Sequence, residues 1–151
     1  MRKLLLLSAF CIGLFFFICG NGYAASKDQD VDRNEVAHLR EKCRISAEKY
    51  FTGRFGSGIR YDDFGQRIDT YTNHYNEKLN KCFILIETVV IPNYKIFRTS
   101  RAKTLLEIYK DTYYGSYGIA RDGSVNPCEM LKKECHSEEE WYALVKPYTE
   151  E

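Results

Sequence analysis

Lys81-Cys82-Phe83-Ile84-Leu85-Ile86-Glu87-Thr88-Val89-Val90-Ile91 is the stretch on which the fold turns. Read as a strand, it places Cys82, Ile84 and Ile86 on one face and Phe83, Leu85 and Val89 on the other. Both faces are apolar over most of its length, which predicts a central strand covered from both sides. Pro92 has no amide hydrogen for a sheet ladder and ends the run. Just upstream, residues 76–80 are turn-like and residues 71–75 read as a neighbouring strand.

Further upstream, Val36, Leu39, Cys43, Ala47 and Tyr50 recur on one face of a helix, widened by Phe51. Asp32, three residues before Glu35, has the spacing of a capping box. These signals predict a helix over 33–51 with Gly53 as its stop. Ile45 falls on the opposite face and is the one mismatch. Residues 52–69, with Gly53, Gly56, Gly58 and Gly65, read as a surface loop. A phosphate cradle would need Gly-Lys-Ser/Thr opening a helix, and the loop has none.

Downstream, residues 96–101 read as a short strand or loop. Residues 104–112 alternate, Gly115-Ser116 offers a turn, and residues 117–121 return, which predicts a hairpin over 104–121. A helix over 103–110 is the alternative. Asp122-Gly123 signals another turn. Ser137 and Glu140 form a second capping box, and Trp141, Leu144, Val145 and Tyr148 then follow helical spacing. Pro147 is expected to end or kink that helix. Together these elements predict an α+β domain. A long N-terminal helix packs on a small, mostly antiparallel sheet of three to five strands, and a short C-terminal helix closes it.

The chain begins with Arg2 and Lys3, a nearly unbroken apolar run of 16 residues from Leu4 to Cys19, and Gly22-Tyr23-Ala24. That pattern predicts a cleaved secretory signal peptide, since the run is short for a bilayer span; an uncleaved amino-terminal anchor and a lipoprotein leader are the alternatives. The expected organisation is residues 1–24 as signal, 25–31 as a disordered tail and 32–151 as one domain. Cleavage after Ala24 would leave 127 of the 151 residues and four of the six cysteines: Cys43, Cys82, Cys128 and Cys135. An even set of thiols in an exported domain reads as disulfides. Four cysteines allow three pairings. The periodicities favour Cys43–Cys82, because both residues fall on inward faces, with Cys128–Cys135 as the local partner pair. The address implied is periplasmic or secreted.

Composition narrows the function further. Cleavage lowers Lys plus Arg from 22 to 20, against 21 acidic residues. Nothing in that balance points to nucleic acid. No second apolar run follows the leader, so no stable membrane insertion is expected after cleavage. Six residues separate Cys128 from Cys135, which is not the spacing of a zinc knuckle. No metal or cofactor is called for, and no catalytic set is visible.

Two groups stand out as candidate binding residues. His74 opens a polar cluster and could act as a base only with a carboxylate such as Asp62, Asp63 or Asp69. Tyr113, Tyr114 and Tyr117 would form an aromatic hairpin tip suited to a partner surface. The leading expectation is a non-catalytic binding or accessory module whose partner is an envelope or extracellular protein. The alternatives are a small hydrolase built on His74 with a loop carboxylate, and a structural envelope protein.

His74-Tyr75-Asn76-Glu77-Lys78-Leu79-Asn80-Lys81-Cys82-Phe83 resembles a segment that recurs in small exported bacterial proteins of unknown function. Cys135-His136-Ser137-Glu138-Glu139-Glu140-Trp141, followed by Leu144-Val145-Lys146-Pro147-Tyr148, is similar to their closing helix. The resemblance runs from the Cys43 helix to the C-terminal helix, apart from residues 52–69. It implies a bacterial, exported, compact domain and brings no functional residue with it.

Overall fold

The computed structural model describes residues 26–63, 65–94 and 96–150, with side chains from Asp32 onward. The expected leader lies outside the described residues. The chain runs as helix α1 (Ser26–Phe55), strands β1 (Ile59–Asp62), β2 (Gly65–Asn76), β3 (Lys81–Pro92), β4 (Ser100–Glu107), β5 (Thr112–Ile119), β6 (Val125–Met130) and β7 (Lys133–Glu134), then helix α2 (Glu138–Thr149). Among the described residues the strands form one seven-stranded sheet in chain order, and every neighbouring pair is antiparallel. This is the expected α+β architecture with a larger sheet.

Strand β3 is paired along nearly all its length, with β2 on one side and β4 on the other. Its two faces feed two separate cores. Ile84 and Ile86 pack with Ala47 and Phe51 of α1, and Cys82 packs with Cys43 and Tyr75 beside them. Phe83 packs with Leu105, Tyr114, Tyr117, Trp141 and Val145, and Leu85 joins at the margin. The helices therefore cover opposite faces of the sheet. A side-chain period of two sends alternate apolar residues of one strand to two different helices.

Both expected disulfides form. Cys43–Cys82 ties the middle of α1 to the start of β3, with the Cα atoms 5.4 Å apart. Cys128–Cys135 closes the β6–β7 hairpin, whose turn residues Leu131 and Lys132 both have positive φ. That backbone suits a two-residue hairpin loop. Ile45 is exposed, as its place off the stripe requires.

Several boundaries move. Helix α1 begins at Ser26, so Asp32 lies inside it and the stretch expected to be a tail is helical from Ser26. The helix also runs through Gly53. It stops at Gly56, whose φ of 61° favours glycine and whose amide donates to the Thr52 carbonyl at 3.0 Å. The glycine-rich stretch beyond is the β1–β2 hairpin, where the Asp62 carboxylate accepts the Gly65 amide at 3.0 Å. The Gly115-Ser116 turn is not there. The chain reverses between Glu107 and Thr112, and Gly115 sits inside β5. A Cβ at Gly115 would lie 2.3 Å from the Glu129 carbonyl, so this glycine serves close strand approach. Helix α2 passes through Pro147 to Thr149, held at its start by Ser137, whose hydroxyl accepts the Glu140 amide at 3.2 Å.

Candidate functional site

The two groups singled out by sequence do not build a site. His74 lies on β2 opposite Phe83. Asp69 is five residues away along the same strand, an odd separation that puts it on the other face, about 16 Å distant at strand rise. Asp62 and Asp63 are at the far end of β2, in the β1–β2 turn. The carboxylate partner of the hydrolase reading is therefore missing from His74. Its Nε2 is buried with no hydrogen-bond partner, as is the Trp141 Nε1 in the α2-side core.

The three tyrosines separate because of a bulge. Leu105 pairs with Gly115 while Leu106 pairs with Tyr113, leaving Tyr114 as an extra residue on β5. Tyr114 turns into the α2-side core, edge-on to Phe83 and Tyr148, and Tyr117 is buried near Trp141. Only Tyr113 is exposed. It lies on the opposite face, its hydroxyl 2.7 Å from the Ser116 hydroxyl and donating to Glu129 at 2.8 Å. The expected aromatic tip is thus two core residues and one surface residue.

Asp69, like Glu107, is a buried carboxylate. Its side chain has no exposure, and it accepts from Arg60 at 2.9 Å, Arg67 Nε at 3.0 Å and Thr88 at 2.5 Å. Burial pushes its pKa up, but the Thr88, Arg60 and Arg67 hydrogen bonds outweigh it and hold the group below the usual aspartate value. Lys103 behaves similarly on the α2 face. Its ammonium lies 2.7 Å from Glu138 and 3.4 Å from Glu87, and it donates to the Tyr142 hydroxyl. Burial disfavours the charge, yet Glu138, Tyr142 and Glu87 together raise its pKa above the ordinary lysine range. Both groups stay ionised and paired at neutral pH. Neither is poised as an acid or a base.

Two concavities are lined by described residues. A cleft of about 230 Å³ between β6–β7 and α2, lined by Met130, Leu131, Leu144 and Tyr148, falls below the ordinary range of ligand pockets. A notch of about 380 Å³ lies where Arg40 of α1 meets Glu77 of the β2–β3 turn, and its lining is largely charged. Among the described residues no group of three or more His, Cys, Asp or Glu side chains could hold a metal ion. No described helix is long and apolar enough to cross a membrane.

The surface feature that the sequence reading missed is at one end of the sheet. There the β3–β4 connection, residues 93–99, runs between two turns. Its Asn93 amide donates to the Asp62 and Asp63 carbonyls of the β1–β2 turn, each at 3.4 Å. Its other end reaches the β5–β6 turn, where the Arg121 guanidinium lies 5.5 Å from the Phe97 ring. The connection and its flanks expose Ile96 by 85%, Tyr61 by 76%, Tyr94 by 62% and Phe97 by 45%. Side chains of this kind belong in a core, and here one short loop holds three of them in water. The signal available in sequence was an apolar trio between Pro92 and Ser100 that follows neither strand nor helix period.

No family model, curated protein or solved structure matches the chain.

Proposed function

We propose that this chain is a non-catalytic binding module of the bacterial envelope, exported through its leader and docking through the end of the sheet that carries the β3–β4 connection. The observation behind this reading is the exposure of Tyr94, Ile96 and Phe97 together on one loop. Large apolar side chains on a solvent-facing tip lower the free energy only when something covers them. The ionised, paired state of Asp69 and Lys103 and the separation of His74 from the carboxylates favour binding over hydrolysis. The two disulfides and the leader pattern support a periplasmic or secreted address.

Site-specific photocrosslinking in intact cells tests the reading. A photoreactive residue replacing Ile96 is expected to give adducts that the same residue replacing Leu79, exposed at the opposite end of β3, does not give. Equal labelling at the two positions, or none at either, refutes docking through this end.

A further inference from the structure

We infer that the β3–β4 connection docks on an anionic lipid surface, with Ile96 and Phe97 entering the headgroup layer and the surrounding cations meeting lipid phosphates. This rests on reading that end as the docking site and names what covers it. Three observations point to lipid.

The first is shape. Ile96, Tyr94 and Phe97 stand exposed on the β3–β4 connection, and Ile96 is the most exposed large hydrophobic side chain among the described residues. A protein partner would have to supply a matching pocket. A bilayer interface accepts such a tip without one, because headgroups part around apolar side chains and tyrosine sits at the boundary.

The second is charge. Residues 91–101 contain Lys95, Arg98 and Arg101 and no acidic residue. Arg121 is placed over Phe97 from the neighbouring turn. The acids at this end are Asp62, Asp63 and Asp122. The Asp62 carboxylate accepts the Gly65 amide, and the Asp122 carboxylate accepts the Ser124 amide at 2.8 Å and hydroxyl at 2.6 Å. Those two carboxylates serve turns of the fold, whereas the apolar tip is bracketed in sequence by cations. Each cation near an anionic leaflet adds attraction that a neutral surface does not supply.

The third is mechanical. The β3–β4 connection is held at both ends, by Asn93 to the β1–β2 turn and by Phe97 against Arg121. Arg98 also approaches the β5–β6 turn, its Nη1 lying 3.4 Å from where a Cβ on Gly123 would be. These contacts of Asn93, Phe97 and Arg98 lower the conformational cost of docking, so the small apolar area is used efficiently.

The test uses the disulfide-bonded protein purified from the periplasm. Vesicles of phosphatidylethanolamine with about a quarter phosphatidylglycerol are expected to sediment it at low salt, and vesicles of phosphatidylcholine alone are not. Replacing Ile96 and Phe97 together by serine is expected to abolish sedimentation. Arg98→Ser with Arg101→Ser should weaken it by about fivefold per cation removed. Because all four side chains lie outside the buried cores, unchanged thermal unfolding will show that each variant is folded. A Phe97→Trp variant gives a second readout, with emission shifting to the blue on vesicle addition and quenched by brominated lipid. Failure to bind the anionic vesicles, or binding that ignores both variants, overturns the inference. A protein adduct at position 96 without vesicle binding also overturns it while leaving the docking end in place. Absence of any adduct at position 96, to protein or to lipid, overturns the docking reading as well.

Discussion

Asp69 shows how a single residue can hold charge inside a sheet protein without becoming reactive. Three donors satisfy its oxygens, so burial is offset and the carboxylate remains ionised. Its folded-state pKa lies below the ordinary 3.8, so its stabilisation is present at neutral pH and is lost as pH falls through the lowered value. Asp69→Asn is expected to cost about 1–3 kcal/mol at neutral pH, a modest figure because Arg60 and Arg67 are partly hydrated and keep water as a partner. Urea unfolding at neutral pH and again near pH 2 checks this: the gap between wild type and variant should narrow in acid. A gap that widens in acid would mean that the carboxylate is not held below its ordinary value. The sequence showed Asp69 as one more acid in a glycine-rich loop. Its partners, Arg60 on β1 and Thr88 on β3, are 9 and 19 residues away, and only the sheet register brings them to it.

At the scale of elements, local chemistry was legible where the chain decides by itself. The α1 stripe, the alternation of β3, the turn after Asn76 and the cap of α2 all depend on neighbours within a few residues, and all are present. Removing the cap by Ser137→Ala should cost about 1 kcal/mol, read as a lower urea midpoint with an unchanged slope. Two of the misplaced features share one cause, which is that glycine has two uses. Gly115 looks like a turn residue, yet it lies mid-strand because the Glu129 carbonyl of β6 leaves no room for a Cβ. The bulge beside it then rotates Tyr114 into the core and leaves Tyr113 outside. A strict two-residue period cannot foresee that shift. The same reason hid the β1–β2 hairpin, since four glycines mask a strand whose partner makes it one.

For the molecule as a whole, the two disulfides divide the work unequally. Cys43–Cys82 spans 39 residues and fastens α1 to the central strand, whereas Cys128–Cys135 spans 7 within one hairpin. The chain-entropy model assigns about 4 kcal/mol to the first and about 2.5 kcal/mol to the second. Replacing each cysteine pair by serine should lower unfolding stability in that order, and denaturant titration of the two double variants checks it. The reverse order would mean that the local hairpin, not the α1–β3 tie, limits unfolding. By itself the sequence determined the α+β class and the sandwiching of β3, each from periodicity along short segments. Among three possible cysteine pairings it favoured Cys43–Cys82, with Cys128–Cys135 as the pair left over, and the structure holds both. Tertiary structure alone decided the seven-stranded meander, the burial of Tyr114 and Tyr117, the distance between His74 and the carboxylates, and the placement of the β3–β4 connection between the β1–β2 and β5–β6 turns. Those depend on register between strands and on which turns share one edge of the sheet. Contacts between residues far apart in the chain set both, and no local pattern encodes them.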